Sequence, residues 1–515
     1  MRELTIHQLL EDAVDKFPDA EIVSGNLRFT YVEFRHRVLK LANKLAQMGL
    51  VKGTVAGIMD VNSHRYLELQ YALSYLGAIV HTVNFRLSQN HLQYTISHAK
   101  DSWLFVWEGF GDVVSKLASL VPHFVVLKEN ASILDSSFMT YESLIEAGSP
   151  EIPASAKDVH ESDTYSIFYT TGTTGKPKGV RYRHRDILLA STQIAHHLAL
   201  YETGAKLEQR DTIMPLIPFF HIHGWGTAFF GLYLGAKIVL PEKADATAQV
   251  ELIHRESVSW CNMVPTQLHI LLDVGNQTHK GLSLKVLTGG SALPSGLAKR
   301  AAESGIQFSL IYGGSDQLAA GISGYTNGQL PKATVPIPMV HVKILDKAGN
   351  AVVKDDSTIG ELWVQSPWLP DGYVGDEEQS RQVFLDGWFR TSDLAVHMED
   401  GSFLVVDRVK DAIKSGGEWI ATAVIENIAS ELAGVSMVAV IAVSDERWGE
   451  RPLAIVEANA FITEQMIREH MEKAVQLGKL AKYWLPIRYE FISDMLLTSA
   501  GKIDKVALRK KFVVE

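Results

Sequence analysis

Cysteine is nearly missing: Cys261 is the single one in 515 residues, which excludes an intramolecular disulfide and any zinc site built on several thiolates. One cysteine fits a reducing compartment, so the cytoplasm is the expected location. Long apolar runs are missing too. The longest, residues 224–236, stops at Lys237, short of the roughly 20 residues a membrane-spanning helix needs, so at most peripheral membrane contact is expected. The N-terminus turns acidic at Glu11 and Asp12 without an apolar segment, and no signal peptide is expected. An excess of positive charge is also lacking. The 49 Lys and Arg against 59 Asp and Glu leave a formal charge of −10, which argues against nucleic acid, because a basic field supplies most of that affinity. Any polyanion must therefore be gripped locally. No internal repeat or low-complexity tract interrupts the chain, and with 46% hydrophobic and 21% charged residues it has the composition of a globular protein.

What is present is an alternation of elements. Thr5 and Gln8 make a capping-box pair before a helical pattern, and Thr30 and Glu33 repeat it before a second one closed by Gly49. Short β-rich runs at 55–59, 78–83, 103–106 and 124–127 alternate with helix-length segments at 63–76 and 89–98. The rhythm predicts an α/β fold with parallel layers. It continues through 237–240, 260–263 and 285–288, then yields after Gly324 to short extended segments with frequent Gly and Pro. We therefore expect a large N-terminal body of stacked α/β layers with a β-rich subdomain, residues 1–407. A small α+β C-terminal domain, residues 408–515, begins with a basic, Gly-rich stretch that precedes a new β/α alternation.

The chemistry gathers in a loop. A predicted strand at 164–169 runs into Thr170-Thr171-Gly172-Thr173-Thr174-Gly175-Lys176-Pro177-Lys178-Gly179. Its glycines let backbone N–H groups turn toward a polyanion, its hydroxyls donate to phosphate oxygens, and its lysines add charge. The P-loop pattern Gly-x-x-x-x-Gly-Lys-Ser/Thr cannot be laid on it, since Thr170 stands where the first glycine should and Pro177 follows the lysine. By itself the loop says only that phosphate binds.

With its flanks, Tyr-Thr-Thr-Gly-Thr-Thr-Gly-Lys-Pro-Lys-Gly-Val resembles the AMP-binding signature of the adenylate-forming superfamily, which includes acyl-CoA synthetases, peptide-synthetase adenylation domains and luciferases. Further motifs follow in the family's order over nearly the whole chain. The resemblance implies roles residue by residue. Thr170, Thr171, Gly172, Thr173, Thr174 and Lys178 would hold the phosphates of ATP, with Thr171 and Thr173 among the catalytic groups. Pro218-Phe219-Phe220-His221-Ile222-His223-Gly224-Trp225 is similar to the segment lining the acyl pocket, with His221 catalytic and Trp225 a wall. An HxH metal site is the lesser reading, because zinc needs three or four ligands and no partner cluster is visible. A structural core histidine is the other alternative.

Gly289-Gly290-Ser291-Ala292 resembles the turn contacting adenine and acyl group, with Gly289 also in the acyl pocket. Tyr312-Gly313-Gly314-Ser315-Asp316 resembles Tyr-Gly-x-Thr-Glu: Tyr312 would stack on adenine, Gly313 border both nucleotide and acyl group, Ser315 meet the α-phosphate, and Asp316 ligate Mg²⁺. Asp316 is one methylene shorter than the family's glutamate. Asp393, in Gly387-Trp388-Phe389-Arg390-Thr391-Ser392-Asp393, would accept the ribose hydroxyls, although Ser392 replaces a glycine. Arg408 would grip the ribose, Lys410 serve as the hinge of a mobile C-terminal domain, Lys414 contact nucleotide, and Gly416 and Gly417 wall the CoA tunnel. Lys502, in Thr498-Ser499-Ala500-Gly501-Lys502-Ile503, would be the principal catalytic cation, although Leu496-Leu497 replace the usual Pro-Arg.

The implied function is an AMP-forming acid–thiol ligase using ATP, Mg²⁺ and CoA. The acid would be medium- or long-chain fatty, with aryl acids an alternative. A stand-alone enzyme loading a carrier protein and a non-catalytic nucleotide-binding relative are the competing readings. Cys261 has no identifiable base beside it and is not expected to act as nucleophile. A homodimer is the base expectation for assembly.

Overall fold

The computed structural model describes residues 3–128, 141–170, 176–278, 281–323, 333–416, 418–459, 461–498 and 501–513. Among these the strands form three sheets. The first runs in the order His123–Leu127, Trp103–Trp107, Val55–Met59, Ile79–Thr82, Thr164–Thr170, Lys178–Arg183. Its neighbours are parallel except for the last pair. Val55–Met59 carries Ala56, Ile58 and Met59 fully buried, as expected of a parallel strand covered on both faces.

The second sheet is larger and changes character midway. One half is parallel, in the order Gln307–Gly314, Lys285–Gly289, Trp260–Met263, Thr212–Pro215, Lys237–Leu240, Glu21–Ser24. From Leu318–Ser323 through Phe403–Arg408, Trp388–His397 and Ile359–Gln365 to His341–Leu345 it is antiparallel. The β-rich part expected after residue 324 is thus the antiparallel continuation of the α/β sheet. Continuity matters because the parallel half carries Gly289 and Tyr312 while the antiparallel half carries Asp393 and Arg408.

The third sheet is built on the long hairpin Val435–Asp445 and Gly449–Ala458, with Arg488–Ile492 parallel at one side. It has its own core, in which Ile413, Ile425, Val440, Val456, Ile467 and Met471 are buried. Helices Thr422–Ser430 and Glu464–Gln476 pack on it.

Local chemistry explains the helix starts, with one correction. Thr30 caps Tyr31–Gln47 through a full capping box with Glu33, and Gly49 beyond its end takes φ 98°. Thr5 precedes Ile6–Lys16 but makes no capping bond; its hydroxyl lies 3.2 Å from His7 Nε2 instead. The buried imidazole draws the hydroxyl away from the helix end. No described helix is long and apolar enough to cross a membrane.

Candidate active site

The strands on either side of the Gly/Thr-rich stretch pair with each other: Tyr169 faces Gly179 and Thr170 faces Lys178. Thr171, Gly172, Thr173 and Thr174 lie outside the described residues. The root of the loop is fixed from below. Tyr169 Oη is 2.8 Å from His98 Nδ1, and a Cβ added to Gly179 would stand 3.1 Å from the Tyr169 ring. Lys178 Nζ lies 5.0 Å from the centre of the Tyr373 ring, a cation–π distance. Further along the same strand Tyr182 donates its hydroxyl to the Ser315 carbonyl at 2.7 Å, tying the hairpin to the turn after Tyr312.

Around that turn the expected nucleoside residues meet one another. Tyr312 donates to Asp393 Oδ2 at 2.5 Å, Arg408 Nε is 3.1 Å from Asp393 Oδ1, and the Asp393 N–H donates to Thr391 Oγ1 at 3.0 Å. Asp393 and Arg408 are cross-strand partners. Asp393 is 5% exposed, and a carboxylate so removed from water needs such partners. Each of its oxygens keeps further lone-pair capacity. Ser392 adopts φ 59°, so the turn keeps a left-handed backbone although serine stands in place of glycine.

Asp316 sits beside this group. Burial pushes its carboxyl up to about 6, against the pull of Lys178 and Arg408 and a hydrogen bond from Tyr373. Its Oδ1 has no hydrogen-bond partner among the described residues. An orphaned, buried carboxylate oxygen within the influence of Lys178 and Arg408 fits a magnesium ion, which takes one or two carboxylates plus substrate phosphates.

Lys502 completes the arrangement from the C-terminal region. A Cβ added to Gly290 would lie 3.2 Å from Lys502 Cε and 3.7 Å from its Nζ, so glycine lets the lysine cross the turn. It lines a cavity of about 30 Å³ with Arg86, Ile217, Phe220, His221, Val264 and Gln267. Its own segment is held by Thr266, whose hydroxyl donates to the Gly501 carbonyl at 2.6 Å. Burial, Arg408 and Lys410 push the ammonium down to about 8, against Asp393. His221 is pushed down to about 3 by burial, Lys502 and Arg86, so its imidazole is neutral.

The acyl-pocket segment is unusual in backbone. Ile222, His223, Gly224, Trp225 and Gly226 all take positive φ, from 49° to 83°, one turn of left-handed helix closed by the Gly226 N–H on the Ile222 carbonyl. His223 points inward, with Nδ1 2.9 Å from Gln70 Nε2, while His221 faces the cavity. The two histidines therefore part company.

The remaining expected residues lie differently. Trp225 is buried and, with Gly289 and Gly313, does not line that cavity. The two glycines meet a packing need of their own: a Cβ would stand 2.3 Å from the Ile311 carbonyl at 289 and 2.1 Å from the Leu318 carbonyl at 313. Ser291 and Ala292 are exposed beside Lys502's turn. Lys410 is exposed three residues beyond Asp407. Lys414 Nζ lies 4.8 Å from the Trp419 ring centre. Gly416, at φ 60°, donates to the Trp448 carbonyl at 2.8 Å; Gly417 lies outside the described residues. Sequence reasoning gave no role to Arg86, Thr266, Gln267 or Tyr373. The signal for Arg86 was an arginine three residues beyond the β-rich run at 78–83, and for Tyr373 a Gly-Tyr pair ahead of the Asp393 strand.

Cys261 is buried and unpaired, and burial pushes its thiol well up, the opposite of what a nucleophile needs.

Known proteins resemble this chain over nearly its whole length. The sequence model of the AMP-binding enzyme family matches residues 10–374, and that of the AMP-binding enzyme C-terminal domain matches 424–502. A long-chain-fatty-acid–CoA ligase from Thermus thermophilus is 34% identical, over 99% of this chain and 96% of its own. A medium-chain-fatty-acid–CoA ligase from Ectopseudomonas oleovorans is 32% identical with the same coverage. The crystal structure of the anthranilate CoA ligase AuaEII with anthranoyl-AMP superposes with a TM-score of 0.89, covering 98% of this chain and 97% of its own at 23% identity, which bears on the fold alone. Family match, full-length relatives and fold together place this chain in the AMP-binding enzyme family.

Proposed function

We propose that the chain is an AMP-forming carboxylic acid–CoA ligase. It activates an acid with ATP to acyl-AMP and pyrophosphate, then passes the acyl group to CoA and releases AMP. The observation that carries the reading is Lys502 seated across Gly290 beside His221. In this reading Lys502 is the cation between nucleotide and acyl group, and a carboxylate attacking a phosphate needs one, because two anions must meet and the phosphoryl oxygens gain charge.

The other residues position. In this reading Asp393 and Arg408 take the ribose and Tyr312 faces the base. Thr170 to Thr174 and Lys178 hold the phosphates. Neutral His221 shapes the acyl end without adding a charge that would compete with Lys502. Asp316 would hold Mg²⁺, which supplies charge neutralisation on the phosphates. Residues 408–515 form the mobile unit, pivoting at Lys410, so that Gly416 and Gly417 replace Lys502 for the second step. That exchange is hinge closure with a changed ligand preference.

The names of the full-length relatives support a fatty acid as substrate and CoA as acceptor. Incubation with ATP, CoA and a graded series of acids should yield AMP and acyl-CoA in equal amounts, with kcat/KM choosing among chain lengths and aryl acids. Pyrophosphate release without acyl-CoA would overturn the CoA reading in favour of a carrier-protein acceptor. Neither product would leave a nucleotide-binding protein without this activity.

A further inference from the structure

Two helices from opposite sides of residue 408 meet end to end. Helix Thr422–Ser430 finishes against the start of helix Ser295–Glu303. There the Gly296 N–H donates to Ser430 Oγ at 3.3 Å. The approach is so close that a Cβ on Gly296 would stand 1.9 Å from the Ser430 carbonyl oxygen and 2.9 Å from its carbon. Only glycine fits there, since the obstacle is backbone. The geometry also matches charge to charge: the first N–H groups of one helix and the last C=O groups of the other lack intrahelical partners, and their partial charges are opposite.

A second contact of the same kind lies nearby. Thr266, at the start of helix Pro265–Gln277, donates its hydroxyl to the Gly501 carbonyl at 2.6 Å, immediately before Lys502. The turn that Lys502 crosses at Gly290 leads directly into the helix bearing Gly296. One short stretch of the large body therefore meets the C-terminal region at Gly290 and Gly296, and Thr266 meets it again on the neighbouring strand–helix turn.

We infer that Gly296 and Thr266 form a latch that holds the C-terminal unit where Lys502 enters the cavity, and that they are positioning residues for the first half-reaction only. The inference rests on the two-step ligase reading. Rotation about Lys410 would carry Ser430 and Gly501 away from their partners, so the latch has no part in acyl transfer. A methyl at 296 must push the Ser430 end outward, and the displacement passes through the packed C-terminal core to Lys502, because close-packed interiors transmit strain.

The test separates the half-reactions in the full-length enzyme. Adenylation is read without CoA, as acid-dependent exchange of labelled pyrophosphate into ATP; transfer is read from synthetic acyl-AMP plus CoA. Gly296→Ala should slow exchange about tenfold, as expected when one overpacked methyl shifts the population of the competent arrangement. Transfer should stay within about twofold of wild type, as for a state the latch does not touch. Thr266→Val adds no bulk and guards against misfolding; it should slow exchange about threefold, in line with one lost hydrogen bond, again sparing transfer. Equal losses in both half-reactions, or unchanged exchange in Thr266→Val, would overturn the latch. A wild-type enzyme that exchanges pyrophosphate but makes no acyl-CoA would overturn the CoA reading while leaving the exchange arm to judge the latch.

Discussion

A lysine partly removed from water and facing Arg408 and Lys410 loses part of its preference for the charged form, and Lys502 is accordingly pushed down to about 8. The sign follows from the direction of the shift. Lys502 is protonated below about 8 and loses its proton above, and the proposed role needs the cation. The kcat/KM for ATP should therefore fall as pH rises through about 8, measured on pyrophosphate release; a profile flat to pH 9.5 would remove Lys502 from the rate. Lys502→Ala should lower adenylation by roughly 10²–10³-fold, the scale of losing one preorganised charge-stabilising group, with ATP binding retained because Asp393, Arg408 and Tyr312 remain. His221, pushed down to about 3, adds no step to the profile near neutrality. Ser392 shows the same reasoning applied to backbone. At φ 59° a serine bears a left-handed cost of about 1 kcal/mol, while glycine would relieve it and add a comparable entropy loss on folding. Ser392→Gly should thus leave the urea midpoint nearly unchanged. Ser392→Val, branched at Cβ, should lower stability by at least about 1 kcal/mol.

Among the elements, the left-handed turn from Ile222 to Gly226 carries most local tension, because isoleucine and tryptophan both avoid positive φ. Tertiary contacts hold it: Asn262 donates to the Gly224 carbonyl at 2.7 Å, and the Thr227 hydroxyl donates to it at 2.8 Å. Gly226→Ala would set a Cβ 2.8 Å from Ser191 Oγ at φ 83°. We expect a loss of about 1–3 kcal/mol and a raised KM for the acid, read by urea unfolding and initial rates. Sequence could not show this turn, since nothing in His-Ile-His-Gly-Trp announces a reversed hand; the fold imposes it. Sequence periodicity did show the strands at 55–59, 237–240 and 260–263 with the bounds found here, because buried parallel strands are short, apolar and sharply bounded. Motif order also brought Tyr312, Asp393 and Arg408 into one expected group, and they are in contact. Pairs such as Thr266 with Gly501 and Gly296 with Ser430 were illegible, since they join segments more than a hundred residues apart with no shared period.

At the scale of the whole molecule, the small sheet's core holds Val440, Val456 and Ile467 without drawing on the large body. A second, smaller cluster bridges the junction, where Leu394, Val396 and Val406 pack with Ala412, Ala421 and Trp419. Asp407 strengthens that junction by accepting from the Thr422 N–H at 2.6 Å and the Thr422 hydroxyl at 2.8 Å. These two facts make opposite demands on a fragment of residues 408–515: its own core favours autonomous folding, whereas the uncovered junction face and the missing Asp407 partner reduce its stability. The core involves more buried side chains, so the fragment should fold, with a single cooperative urea transition at a lower midpoint than the full chain, followed by far-UV circular dichroism. A sloping, non-cooperative loss of signal would mean that the unit depends on the large body. The complementary fragment, 1–407, keeps Tyr312 and Asp393 but loses both Arg408 and Lys502. Its adenylation rate should fall at least as far as that of Lys502→Ala, since it lacks the cation and one of the two groups that hold Asp393 in place.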